Sequence, residues 1–151
     1  MTIRYPSLLI ALVAMAALPP LTGCGSEDSS EAVILPKDEY AKKADLICSE
    51  AGGEQGKIAA AYFKKHPNAE EIDLVEPAGI PPLEKEIEEL RELGLPRGQE
   101  AETEAFIEEL ESALEDLKAE PKGALSEKDN PYEKANELGA KLELGDCSRN
   151  P

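Results

Sequence analysis

Apolar residues recur at intervals of three and four along most of this chain, and proline or glycine separates one run from the next. Such spacing puts the apolar side chains on one face of an α-helix, which has about 3.6 residues per turn. The clearest run covers 100–119, where the sequence predicts one helix that ends before Pro121. Further helices are predicted over 36–66, 83–93 and 131–142.

Two places leave the helix boundaries open. Gly52 and Gly53 together cost a helix about 2 kcal/mol relative to alanine, so we expect the first helix to kink or to split there. After this helix, Asn68 is positioned to cap a short helix over 69–75. The proline-rich segment 77–82 predicts a turn.

The fold class follows from these runs. No stretch shows the alternation of apolar and polar residues that marks a half-buried strand. About four helices with short connections predict an all-α fold, a small antiparallel helical bundle around one core. We assign the bundle to 36–147 and a short tail to 148–151. A chain of 151 residues has room for one such domain.

The N-terminal segment has the features of a secretion signal. Arg4 supplies a positive charge, and the apolar run 7–18 follows it. This run is too short to span a bilayer, which takes about 20 residues, but it suits the core of a signal peptide. Two prolines then precede the stretch Leu21-Thr22-Gly23-Cys24.

Leu21-Thr22-Gly23-Cys24 resembles the bacterial lipobox, in which a leucine and two small residues precede an invariant cysteine. The resemblance implies that Cys24 receives a diacylglyceryl group and that cleavage after Gly23 removes a signal peptide, 1–23. Two acyl chains hold a protein stably on a membrane. The polar segment 24–35 then predicts a flexible tether, and we expect the protein on the extracytoplasmic face of the cell membrane. The alternative is an ordinary signal peptide, cut elsewhere, near a chance cysteine.

The cysteine count supports this division of the chain. With Cys24 assigned to the processing signal, Cys48 and Cys147 remain as an even pair in a compartment where disulfides persist. We therefore predict a disulfide between them. It would close a loop of about 100 residues, for which the chain-entropy model gives about 4.7 kcal/mol of stabilisation.

The part of the chain after the lipobox shows a second, looser pattern. It has the opening Tyr40-x-x-x-Ala44-Asp45-x-Ile47-Cys48, a middle like Pro-x-Leu-x-x-Leu-Gly-x-Pro, and Leu-Gly-x-Cys147 near its end. In this arrangement the chain resembles small helical lipoproteins of high-GC Gram-positive bacteria. The resemblance implies a fold and a location and assigns no activity.

Net charge narrows the choice of partners. The formal charge is -16, and removing Arg4 with the leader changes it from -16 to -17. Such a field repels nucleic acid and anionic lipid headgroups, so we expect neither as a ligand. It suits solubility, the attraction of cations, or a basic protein partner at the cell envelope.

The residues that carry most enzyme chemistry are scarce. The single histidine, His66, lies at a predicted helix end, where capping or solvent exposure is expected of it. A zinc site of Cys and His is excluded if Cys48 pairs with Cys147. The clustered carboxylates, among them Glu86 and Glu88, have the spacing of a solvated helix face, and calcium-loop and phosphate-loop patterns are absent. We therefore predict no catalytic residues, no metal and no cofactor.

Two functions remain in view. The first is a membrane-anchored, non-catalytic helical interaction module, with the lipid on Cys24 as its link to the membrane. The second is a binding protein for a small apolar ligand or a cation, since helical bundles hold ligands between their helices. Tyr62-Phe63 suggests a small pocket, although aromatics on a helix stripe are more often core. A cavity above about 300 Å³ with convergent polar groups would favour the second function.

Overall fold

The described part of the chain contains four α-helices. The computed structural model describes residues 33–121 and 130–149. Each helix packs against the next one along the sequence. The predicted small all-α fold is therefore confirmed. The helices are α1 (Lys37–Lys65), α2 (Ile80–Leu93), α3 (Glu100–Ala119) and α4 (Glu133–Lys141).

The first helix, α1, runs unbroken for 29 residues. It begins after Pro36, whose carbonyl oxygen accepts hydrogen bonds from the backbone N–H groups of Glu39 and Tyr40 at 3.0 and 2.9 Å. Of the two outcomes expected at Gly52 and Gly53, a kink or a split, the split does not occur. Packing against α2 along the helix outweighs a glycine cost of about 2 kcal/mol.

The connection from α1 to α2 is more helical than the sequence predicts. It consists of a 3₁₀ turn, Glu71–Leu74, followed by a π-helical turn, Val75–Gly79. The short helix that we expected over 69–75 is present as this 3₁₀ turn, but the prediction that Asn68 caps it is wrong. Glu70 takes the capping role instead, because its backbone N–H donates to Asp73 Oδ2 at 3.0 Å.

The turn predicted over 77–82 is also wrong, since α2 already begins at Ile80. Pro81 and Pro82 lie in the first turn of α2. The first backbone N–H groups of a helix have no partner within it, so prolines are tolerated there. The helix ends at Gly94, as the sequence predicts.

Two short strands tie the entry of the chain to the middle of the fold. β1 (Ile34–Leu35) pairs in parallel with β2 (Leu95–Pro96). The backbone N–H of Leu95 donates to the carbonyl oxygen of Val33, and that of Arg97 donates to Leu35, both at 2.8 Å. Pro96 fits because only its two neighbours donate to β1. Residues 33–35, inside the range 24–35 assigned to the tether, are thus part of the folded unit.

Gly94 makes this pairing possible. Its φ of 91° and ψ of -153° are allowed to glycine and are strained for any other residue. A Cβ placed on it would overlap the Val33 carbonyl oxygen and lie 2.9 Å from the Val33 Cβ. The position therefore requires glycine twice, for its backbone angles and for the close approach of β1.

One apolar core joins the four helices. α3 contributes the most buried side chains, and Phe106 and Leu110 are fully buried. The apolar stripe predicted for α3 is confirmed, with only Leu114 partly exposed. The other helices, the π-helical turn and the C-terminal segment complete the core with Tyr40, Ala44, Cys48, Val75, Leu83, Ile87, Leu90, Tyr132, Ala135, Leu142, Leu144 and Cys147.

The C-terminal segment folds back onto α4. The predicted start at Pro131 is two residues early, because Asn130 Oδ1 accepts a hydrogen bond from the Tyr132 backbone N–H at 2.8 Å and holds a turn before the helix. A 3₁₀ turn, Cys147–Arg149, lies so close to Gly139 that a Cβ there would be 3.3 Å from the backbone of Ser148. The tail assigned to 148–151 is thus folded as far as Arg149.

Candidate functional site

The structure tests one of the two predictions made for the cysteines. Cys48, on the buried face of α1, is bonded to Cys147, with their Cα atoms 5.1 Å apart. The predicted disulfide is therefore confirmed, and it joins α1 to the C-terminal turn across a sequence separation of 99. Cys24, the predicted lipidation site, lies outside the described residues.

His66 is the C-terminal cap of α1, as the sequence predicts. Its backbone N–H donates to the carbonyl oxygen of Tyr62 at 2.9 Å, and its exposed imidazole lies against the Tyr62 ring, with ring centroids 4.5 Å apart. Within residues 33–121 and 130–149, no three His, Cys, Asp or Glu side chains converge in a way that would hold a metal ion.

A cleft of about 210 Å³ lies beside the disulfide, between α1, α2 and the C-terminal segment. Its lining includes the polar residues Ser49, Gln55 and Arg149 and the buried side chains of Glu86 and Tyr132. This volume is below the range of about 300–1,000 Å³ in which small-molecule sites usually fall. The cleft therefore has polar and ionisable side chains in its lining, but it is too small for most organic ligands.

Glu86 corrects one prediction. Its spacing among other carboxylates predicts a solvated helix face, yet Glu86 is only 3 % exposed. Its position shows why: it lies three residues after Leu83 and four before Leu90, on the apolar stripe of α2. Burial, and secondarily the negative charge of Glu86, raise the pKa of Tyr132 well above its usual value. Tyr132 therefore stays neutral throughout the physiological pH range.

The C-terminal half of α1 buries less of its apolar surface than the N-terminal half. The fully buried residues of this helix, Tyr40, Ala44 and Cys48, all lie in its first half. Beyond the glycines, the apolar side chains remain half-buried and belong neither to the core nor to the side chains packed on it. These are Ile58, Ala59, Tyr62 and Phe63. The single stripe predicted along α1 is thus used for the core only in its first half.

A half-open groove of about 490 Å³ borders this surface. It runs between the end of α1, the two turns that follow it and the end of α3. We call it the Tyr62 groove. Its lining combines apolar surface with carboxylates, contributed by Tyr62, Ile72, Asp73, Glu76, Glu120 and Pro121.

Every charged side chain that lines the Tyr62 groove, among the described residues, is acidic. Its lining includes three carboxylates and, among the described residues, no lysine or arginine. One oxygen of Asp73 is already used, because it accepts the backbone N–H of Glu70. The carboxylates come from two separate segments, Glu71–Gly79 and the end of α3. The groove can therefore attract a cation while offering apolar contact to the atoms that carry the charge.

A third depression, of about 360 Å³, lies between α3 and the start of α4. Lys134 reaches across it to form an ion pair with Glu109. The cavity is therefore crossed by the chain's own charges, and we give it no role.

No family model, curated protein or solved structure matches this chain. In the part of the chain that the structure describes, no helix is long and apolar enough to cross a bilayer.

Proposed function

We propose that this protein is a lipid-anchored, extracytoplasmic interaction module that recognises its partner through the Tyr62 groove, without catalysis. One observation carries the proposal: the C-terminal half of α1 leaves apolar side chains half-exposed beside a groove lined with carboxylates. Aromatic side chains at the centre of an apolar patch, with charge at its rim, are the usual composition of an interaction surface.

The anchor in this proposal is the lipid on Cys24. Val33, where β1 pairing begins, lies nine positions after Cys24, so the span is at most about 32 Å even when fully extended. The bundle would then stand close to the membrane surface, where its partner is expected. Membrane fractionation tests the anchor. The wild-type chain should sediment with membranes and Cys24→Ala should be released; a Cys24→Ala chain that stays fully membrane-bound would refute this part.

The partner is tested by capture after chemical cross-linking of intact membranes. We expect a specific protein to be recovered with the wild-type chain and lost when Glu76 and Glu120 are both replaced by lysine. The matched control is Glu104→Lys with Glu108→Lys, which changes the same charge on the exposed face of α3, outside the groove. Recovery that both pairs abolish equally, or a blank under several growth conditions, would count against the proposal.

A second candidate function is the binding of a small organic cation in the same groove. The groove volume of about 490 Å³ favours this function, because it exceeds the lower limit of about 300 Å³ for small-molecule sites. Its half-open shape favours instead a segment whose backbone remains outside. Thermal unfolding in the presence of a panel of amines distinguishes the two, because a ligand that binds only the native state raises the unfolding temperature.

A further inference from the structure

We propose that the Tyr62 groove receives a lysine or arginine side chain from an extended basic segment of a protein partner. This inference rests on the proposed function and adds the chemistry of the partner. It is drawn from the shape of the groove, from the apolar side chains in its lining and from the sign of its charges.

The apolar part of the groove fits a long cationic side chain. Tyr62, Ile72 and Pro121 provide surface for the methylene stem, which lysine and arginine bury while the charged head stays near polar groups. The Tyr62 ring lies against the His66 imidazole and also lines the groove, and the face of a tyrosine ring attracts a cation that lies within about 6 Å of its centre. A side chain presented from outside needs only a half-open groove, and this groove is half-open.

The carboxylates favour a positively charged ligand and also determine which kind of cation fits. Asp73, Glu76 and Glu120 line the same groove without forming a group that could chelate a metal ion. A guanidinium group has five N–H donors in a planar fork, so it can satisfy carboxylates that are spread apart. Arginine is therefore expected to bind more tightly than lysine.

The charge of the whole chain favours the same partner. The formal charge is -16, and no basic side chain among the described residues lines the groove to compensate its carboxylates. A basic segment is therefore attracted before contact, and its association rate falls as salt rises. An acidic or neutral segment would gain only the apolar contact.

The test uses a defined probe, an eight-residue peptide of alternating glycine and arginine with blocked ends. Calorimetric titration into the chain from Gly25 to Pro151 gives its affinity. We expect Glu76→Gln with Glu120→Gln to weaken binding about tenfold, whereas Glu104→Gln with Glu108→Gln, which removes the same charge elsewhere, weakens it less than about twofold. Tyr62→Ala should also weaken binding, and Tyr62→Phe should preserve it because the aromatic face remains.

Replacing each arginine of the probe by citrulline, its neutral isostere, should abolish binding. Equal weakening by the two glutamine pairs, or no binding at millimolar peptide, overturns the inference. Arginine amide that binds as tightly as the peptide also overturns it, in favour of a small amine. If the peptide fails while capture of a membrane partner still depends on Glu76 and Glu120, only the proposed chemistry is lost and the interaction function stands.

Discussion

Replacing Gly94 with alanine should destabilise the fold by about 2–4 kcal/mol, far more than a typical surface substitution. The estimate has two parts. A non-glycine residue at φ 91° and ψ -153° costs about 1–3 kcal/mol in backbone strain. The new Cβ would overlap the Val33 carbonyl oxygen, so the two segments must separate. Separation breaks the hydrogen bond that Val33 accepts from Leu95, and this loss adds about 1 kcal/mol to the penalty.

Alanine substitutions at two other glycines help to separate the backbone strain from the steric overlap. Gly98 has φ 81° but open space around its Cβ position, so Gly98→Ala should cost only strain, about 1–2 kcal/mol. Gly53 is exposed inside α1 with nothing within 4 Å, so Gly53→Ala should stabilise the protein by about 0.5–1 kcal/mol. Urea unfolding of the oxidised chain, followed by circular dichroism, measures all three.

Removing β1 isolates the contribution of the close approach. In a chain that begins at Pro36, the Val33 carbonyl is gone and Gly94→Ala should cost only its backbone strain. A double-mutant cycle between this truncation and Gly94→Ala therefore predicts a coupling energy of about 1 kcal/mol, the part of the penalty that comes from the overlap with Val33. A Gly94→Ala penalty that is the same in both chains, or that matches the Gly98→Ala penalty, would refute the reasoning.

Three further predictions concern the disulfide end, the helix packing and pH. Reducing the Cys48–Cys147 bond should lower the unfolding free energy by about 2–5 kcal/mol, measured by urea unfolding with and without reductant; an unchanged midpoint would contradict it. Gly139→Ala should destabilise the oxidised protein by about 1 kcal/mol, because the disulfide holds Ser148 against α4, and should become neutral or stabilising after reduction. Burial raises the pKa of Tyr40 to about 12, so the folded state favours the neutral phenol, and stability present below pH 10 is lost as the pH rises from 10 towards 12. Tyr40→Phe should remove this share of the alkaline loss, and because the Tyr40 hydroxyl has no hydrogen-bond partner among the described residues, it should leave stability at pH 7 unchanged or higher.

The helices α2 and α3 could be predicted closely because their apolar periodicity and their stop residues agree. α3 has the predicted bounds, and Gly94 ends α2 as expected. The connection between α1 and α2 could not be predicted, because proline and glycine there are compatible both with a turn and with a first helical turn. The β1–β2 pairing is set by contact between residues about 60 positions apart, which no local pattern reveals.

The candidate site was predicted only in fragments. The sequence suggests a pocket at Tyr62-Phe63 but favours core packing for these aromatics, and the acidic composition is compatible with solubility as well as with a cationic partner. The groove itself is formed by segments near residues 62, 72–76 and 119–121, so it exists only in the folded chain. The burial of Glu86 was missed although its spacing from Leu83 and Leu90 signals it, because a carboxylate on an apolar stripe is usually interpreted as solvated.

Site-specific photo-cross-linking in the cells that produce this protein tests the central claim most directly. A photoreactive amino acid is placed at position 120, in the Tyr62 groove, or at position 108, on the exposed face of α3. The proposal predicts one discrete adduct from position 120 in the membrane fraction, which disappears with Tyr62→Ala, and none from position 108. No adduct at position 120, or equal adducts from both positions, would contradict it.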